Sequence, residues 1–234
     1  MSGLATYGEL RAAVLRTLDA EQDTERAAMV PVWTALASSD IYNSLRAGWM
    51  VRRGETVAGL PDEPYGEMGL PPSLVELAGV SYVPDGLTDE QLVEWRTTGG
   101  IVALAYHQGQ PLEALGPEHL AEVSRYRRVD PRGYVVEGHR LRLVPWTSTN
   151  RPLLLRFTYY SRGSDLVEAD DSNEVLHHIP AAYYYGVLRH AAIFAGDAEG
   201  EQRWSSALLT TVQQANASAY GWQGTGIVSR RVRA

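Results

Sequence analysis

Helical periodicity is confined to the two ends of this 234-residue chain. Near the start, Thr6 and Glu9 form a capping box, and apolar residues then recur every four positions, which predicts an amphipathic helix. Pro31 suits the first turn of a second helix, where its missing N–H costs nothing. Near the end, one helix is predicted to begin at Pro180 and to stop at Gly196, and a last long helix follows it.

The middle of the chain, from about residue 50 to residue 161, has the pattern of strands. Gly and Pro become frequent there, and short apolar or alternating runs replace the helical spacing. Residues 134–136 and 141–143 lie on either side of a turn at Gly138, and this arrangement predicts a β-hairpin.

Other short elements are expected in the same region. Residues 153–160 alternate most regularly and predict the longest strand, with Leu155 in the core. A weaker strand is predicted at 101–106. Two short helices are also predicted, one at 88–96 that begins with a second capping box, and one that begins at residue 117 and ends near residue 125.

These observations together predict an α+β fold. A helical bundle is built from the N- and C-terminal helices, a β-rich insertion lies in the middle, and an extended tail ends the chain. We expect the bundle domain at residues 1–49 and 170–219, the insertion domain at 50–169 and the C-terminal arm at 220–234. Trp204 is expected in the core of the bundle.

The composition excludes several classes of chemistry. The chain contains no cysteine, so disulfides, thiolate metal sites and cysteine nucleophiles are excluded. The net charge of −7 argues against a protein that wraps nucleic acid. All 21 basic residues are arginine, whose planar guanidinium suits fixed contacts at interfaces. No run approaches the ~20 apolar residues that span a bilayer, and residues 1–20 lack a secretory pattern, so we expect no membrane contact and synthesis in a cytoplasm.

The sequence offers no catalytic, cofactor or metal motif. The nucleophile elbow, the phosphate-binding loop and the H-E-x-x-H zinc motif are all missing from it. The adjacent His177 and His178 would point about 100° apart on a helix, which does not suit a shared metal ion. The acidic run at 168–174 lacks the ligand spacing of a calcium-binding loop. We therefore predict no enzyme activity, no cofactor and no metal site.

The candidate functional residues are instead contact residues. Three consecutive tyrosines cover most of a helix circumference, so one of them must face away from the core and toward a neighbouring subunit. The C-terminal arm combines apolar anchors with arginines that can bind carboxylates. Residues 125–128 form a basic and aromatic cluster that fits nucleic acid, but on an acidic chain a partner-protein contact or a solvated face is favoured. The predicted interface residues are Tyr183, Tyr184, Tyr185, Trp222, Ile227, Val228, Arg230, Arg231 and Arg233.

An ordered series of short motifs runs through the second half of the chain. A Gly turn leads into a strand that ends in Pro, paired tyrosines end the next strand, an Asn closes an acidic linker, and a Y-x-Y-G helix precedes a Trp-containing helix. The residues of the series are Pro131, Tyr134, Gly138, Leu141, Leu143, Pro145, Leu155, Tyr159, Tyr160, Arg162, Leu166, Asn173, Pro180, Tyr183, Tyr185, Gly186, Asp197 and Trp204. In order and spacing, this series resembles the head-to-tail adaptor family of short-tailed phages.

The first half of the chain agrees more loosely with that family. One stretch resembles the second helix of the family's opening pair, and a Leu-Pro pair resembles the entry to a strand. The matching residues are Ala37, Ile41, Leu45, Arg46, Leu70, Pro71 and Leu74. Residues 84–112 have no counterpart and look like an insertion.

The resemblance implies a structural virion protein that forms a ring, usually dodecameric, beneath the portal at the head-to-tail junction. Such a ring extends the DNA channel and offers a platform for tail nozzle or tail hub proteins. Double-stranded DNA would pass through it without sequence-specific binding, because an acidic wall repels phosphates. The implied partners are therefore further copies of the chain, the portal, the tail proteins and the passing duplex. The chain would be made in the host cytoplasm.

Three other functions stay open at this point. The nearest is another neck component, such as a head-completion stopper or a tail terminator, which would bind a different ring. A small hydrolase would use Asp130, Glu137 or His139 as acid or base, but these residues lie at a tight turn and no nucleophile accompanies them. A regulatory DNA-binding protein would need a basic recognition helix, and neither C-terminal helix is basic.

Overall fold

The structure is a computed structural model that describes residues 4–58, 67–84, 86–98, 109–121, 130–145 and 152–220. The helices in these residues are α1 (Tyr7–Thr17), α2 (Thr24–Ser44), α3 (Asp89–Thr98), α4 (Glu174–His178), α5 (Pro180–Ala195) and α6 (Ala198–Tyr220), with short 3₁₀ helices at Gly48–Met50 and Pro117–Ala121. The strands are β1 (Val51–Ala58), β2 (Glu67–Gly69), β3 (Leu74–Tyr82), β4 (Gln110–Ala114), β5 (Gly133–Glu137), β6 (Arg140–Val144) and β7 (Leu153–Ser161). The chain divides into two compact units, Met1–Val51 with Arg162–Ala234 and Arg52–Ser161.

The first two helices begin at side-chain caps. The predicted capping box is confirmed, because Glu9 N–H donates to Thr6 Oγ1 and Thr6 N–H donates to the Glu9 carboxylate. Helix α2 begins earlier than Pro31, and that prediction is wrong. The carboxylate of Asp23 accepts hydrogen bonds from two backbone N–H groups, 3.0 Å away in each case, and this cap starts the helix at Thr24. Pro31 therefore lies inside α2, where it removes one helical hydrogen bond.

Helix α5 is the centre of the helical unit, since it packs against α1, α2 and α6. It approaches α2 closely at Gly186, where an added Cβ would lie 2.9 Å from the Cβ of Ala37. Aliphatic and aromatic side chains from all four helices fill the core. The buried residues include Leu10, Val14, Val30, Trp33, Ile41, Tyr183, Val187, Leu188, Leu208 and Val212.

The second unit contains a seven-stranded sheet with the order β1-β7-β3-β4-β5-β6-β2. Strands β4 and β5 are parallel, whereas β3 is antiparallel to β4 and β7, and β6 is antiparallel to β5 and β2. The predicted hairpin is confirmed as β5 and β6, and its turn places Gly138 at φ +59°. The long predicted strand is confirmed as β7.

The sheet is buried on both faces at the start of β7. Leu155 and Phe157 belong to a large apolar cluster on one face, which confirms the core position predicted for Leu155. Leu154 points to the other face and packs in a second cluster that includes Leu92 and Trp95 of α3. The sheet thus has two hydrophobic layers of its own.

The predicted fold, a helical bundle with a β-rich insertion, is wrong, although the α+β class fits in part. The chain is a mixed α/β protein in which a seven-stranded sheet and its helix form a unit with its own cores. Short strands such as β2 and β4 show no alternation of apolar and polar residues, so the sequence predicts fewer strands than the sheet contains. The strand predicted at 101–106 and the end of the helix predicted from residue 117 lie outside the described residues.

Candidate interaction surfaces

The three consecutive tyrosines of α5 occupy different environments. Tyr183 is fully buried, and its hydroxyl lies 2.9 Å from Ser38 Oγ and 3.0 Å from Asn173 Nδ2. Its side chain is therefore part of the subunit core and is not offered to a partner. Tyr184 and Tyr185 are partly exposed, and they turn toward α1 and α6.

Tyr184, Tyr185, Arg203 and Trp204 form one group, which we call the aromatic cluster. The rings of Tyr185 and Trp204 are stacked, with centroids 5.9 Å apart and planes 17° apart. The Arg203 guanidinium lies 4.2 Å from the Trp204 ring centroid, within the range of a cation–π contact. Tyr184 meets the edge of Trp204 and hydrogen-bonds through its hydroxyl to Thr17 Oγ1, 2.6 Å away.

Trp204 is half-buried, so the prediction that places it in the bundle core is wrong. The buried stripe of α6 is formed by Leu208, Val212 and Ala215. On a helix with about 100° per residue, position 204 lies at the edge of that stripe. Its helical spacing alone could not separate a core position from a flank position. Tyrosine, tryptophan and arginine are also the residues that most often dominate the energy of protein interfaces.

A second surface feature lies on the other side of α6, and the sequence did not reveal it. This cleft of about 360 Å³ is lined by residues of α2, α5 and α6, including Asp40, Ser44, Arg189, Ser205, Leu209 and Val212. Asp40 Oδ2 lies 2.5 Å from Arg189 Nη1 and 2.9 Å from His190 Nε2. The one sequence feature that points to this cleft is the polar pair Arg189 and His190, which interrupts the otherwise apolar sequence of α5.

Two polar atoms of the residues that line this cleft have no hydrogen-bond partner among the described residues. Both contacts to Asp40 reach Oδ2, and no described residue donates to Oδ1. The Nε–H of Arg189 is buried and has no acceptor among the described residues. A buried donor without an acceptor is costly.

The other candidate groups have structural explanations. His177 and His178 are exposed, and the ring of His178 stacks on Trp49 at 4.8 Å. The backbone N–H groups of Glu168 and Val167 donate to the Asp171 carboxylate and hold its pKa below the usual value. In the part of the chain that the structure describes, no three metal-ligating side chains converge.

The residues of the hydrolase hypothesis lie on an exposed surface. Glu137 and His139 flank the hairpin turn, and Glu137 pairs with Arg142 at 3.4 Å. Asp130 is also exposed. Among the described helices, none combines the length and the apolar composition that crossing a bilayer requires.

Several predicted interface residues lie outside the described part of the chain. They are Trp222, Ile227, Val228, Arg230, Arg231 and Arg233 of the C-terminal arm, together with the cluster at 125–128.

Comparison with known proteins gives one family. A search of curated proteins returns no match. Residues 5–231 match the sequence model of a family described as SU10 adaptor protein. The match covers nearly the whole chain, including both units, and it agrees with the resemblance read from the motifs. The chain therefore belongs to the SU10 adaptor protein family, a family of phage adaptors.

Proposed function

We propose that the chain is the head-to-tail adaptor of its virion and forms a dodecameric ring beneath the portal. Family membership makes the chain a structural virion protein that associates with other virion proteins. In the proposed role, the ring extends the DNA channel at the head-to-tail junction and offers the platform for tail nozzle or tail hub proteins. The observation that carries this proposal is the family match over residues 5–231.

The exposed part of the aromatic cluster supports a role in assembly. Tyr185 and Trp204 present stacked rings at the surface of the helical unit, where burial by a partner would remove apolar area from water. The stack is already ordered within the subunit, so little side-chain entropy is lost on binding. Tyr184 and Tyr185 are accordingly the subunit contacts that we propose within α5.

The C-terminal arm, residues 220–234, is the proposed contact with the portal. It offers Trp222, Ile227 and Val228 as apolar anchors, and three arginines that can form bidentate pairs with carboxylates. A segment of this kind suits docking along a neighbouring protein or addition of a strand to its sheet.

The proposed channel lets the duplex slide. The chain carries a net charge of −7, so a ring of many copies has a large negative net charge, which repels phosphates. A channel wall that repels the DNA backbone needs no base-specific contacts and no catalytic groups. The role is structural and uses no cofactor.

Mixing the purified chain with the portal of the same phage tests this proposal. Native mass spectrometry of the complex should show many copies of the chain on each portal ring, with twelve as the expected number. The unmixed chain serves as the control, because assembly is expected to depend on the portal. A complex with one copy of the chain, or no complex, would overturn the proposal.

A further inference from the structure

We propose that, in the ring, the aromatic cluster of one copy docks on the Asp40 cleft of the next copy. Arg203 then pairs with the neighbour's Asp40, and the half-buried Trp204 packs beside the neighbour's Leu209. This inference rests on the proposed function, because it names the contacts through which the ring closes.

The two surfaces lie on opposite flanks of α6. Its buried stripe contains Leu208 and Val212. At about 100° per residue, Trp204 falls on one side of this stripe and Leu209 on the other. The contacts agree, since Trp204 packs with Tyr184 and Tyr185, whereas the cleft that Leu209 lines opens toward Asp40 of α2.

A closed ring needs this arrangement. Head-to-tail contacts repeat around a ring only when each subunit carries two different and complementary surfaces. With the aromatic cluster and the cleft as these two surfaces, each copy contacts one neighbour through its cluster and the other neighbour through its cleft. A partner that met only one of them would leave the other uncovered.

The charges of the two surfaces are complementary. Arg203 is exposed and forms no ion pair among the described residues. Across the proposed contact, Asp40 keeps Oδ1 free of described donors, although Oδ2 already meets Arg189 and His190. A second guanidinium can therefore bind Asp40 without displacing the first.

The aliphatic side chains in and beside the cleft also fit the aromatic cluster of a neighbouring copy. Leu209 is 57% exposed, and Leu36 and Ile193 are similarly exposed one turn from Asp40 and Arg189 respectively. Exposed aliphatic side chains beside a cleft favour an aromatic partner.

Thiol cross-linking tests the contact directly, because the chain has no cysteine of its own. Ala207→Cys lies one turn after Arg203 on the same flank, and Asn43→Cys lies on α2 at the rim of the cleft. A chain with both substitutions is assembled on the portal and treated with a short bismaleimide. We expect a covalent ladder up to the full ring, whereas each single variant should give no ladder.

Charge reversal gives an independent readout. Arg203→Glu should still fold, because Arg203 is exposed, but it should bind the ring roughly tenfold more weakly or worse. Arg140→Glu reverses an exposed charge in the sheet unit and should assemble normally. A ring in which the ladder is missing, or in which Arg203→Glu assembles like the unaltered chain, overturns this inference and leaves the proposed function standing. If the unaltered chain forms no ring, both are overturned.

Discussion

The hydroxyl of Tyr183 lies 2.9 Å from Ser38 Oγ, and this contact joins α5 to α2 inside the helical unit. The same hydroxyl lies 3.0 Å from Asn173 Nδ2, and Asn173 in turn caps α4 by accepting from Leu176 N–H. Three helices thus meet at one buried oxygen atom. Since buried polar groups are costly when unpaired, this network should contribute to stability as a unit.

Tyr183→Phe removes the shared oxygen and leaves Ser38 and Asn173 without this partner. We expect the free energy of unfolding to fall by about 1–3 kcal/mol. Urea denaturation followed by circular dichroism measures it. Tyr185→Phe is the matched control, because the Tyr185 hydroxyl has no described partner, and it should leave the unfolding midpoint nearly unchanged. Equal effects of the two substitutions would contradict the proposed network.

Gly186→Ala tests the close approach of α5 to α2. The added Cβ would lie 2.9 Å from Ala37 Cβ, so the helices would have to separate, and we expect a loss of about 1–3 kcal/mol in unfolding free energy. In an Ala37→Gly background the space is free, and the same change should cost little. A similar loss in both backgrounds would show that this steric contact is not the cause.

Buried tyrosines predict a loss of stability at alkaline pH. Burial is the main cause that raises the pKa of Tyr42 above its ordinary value, and the neighbouring Tyr183 raises it further. Burial also raises the pKa values of Tyr7 and Tyr134. The folded state therefore binds the phenolic protons more tightly than the unfolded state. This contribution is fully present below the ordinary tyrosine pKa of about 10 and is lost as pH rises above it.

Denaturation at a series of pH values from about 9 to 11 measures this slope. Tyr42→Phe has no proton to lose, so its stability should decline less steeply with pH than that of the unaltered chain. The substitution also removes the hydrogen bond from Gly163 N–H to the Tyr42 hydroxyl, so the comparison is between slopes and not between absolute stabilities. Parallel slopes would contradict the role assigned to Tyr42.

Local signals in the sequence predicted local structure well. The capping box at Thr6 and Glu9 and the turn at Gly138 are each defined by residues only a few positions apart, so short-range chemistry decides them. Helix α2 was misplaced because Pro31 is an ambiguous signal, common in the first turn but tolerated deeper in a packed helix.

Features that depend on distant residues could not be predicted. The sheet pairs β1 with β7 and β2 with β6, and no property of a three-residue strand such as β2 specifies its neighbour. The Asp40 cleft joins residues that are distant in the sequence, since Asp40 and Arg189 are 149 positions apart. Tyr183 and Tyr185 likewise differ in surroundings, since the Tyr183 hydroxyl lies against Ser38 of α2 and the Tyr185 ring stacks on Trp204 of α6.

Removing residues 221–234 tests the arm. The described part of α6 ends at Tyr220, so the helical unit should keep its circular dichroism spectrum and its unfolding midpoint. Binding to the portal should be lost or greatly weakened, since the deletion removes the apolar anchors and all three arginines. Substituting the three arginines alone by glutamine separates their contribution from that of the anchors. Unchanged portal affinity in the truncated chain would show that the arm has no part in docking.

Cryo-electron microscopy of the intact virion neck shows directly whether the chain forms a ring at the head-to-tail junction. We predict that this chain forms a closed ring between the portal and the first tail protein, with the helical units of neighbouring copies in contact through the aromatic cluster and the Asp40 cleft. A virion in which the chain is missing from that position, or is present there as a single copy, would contradict it.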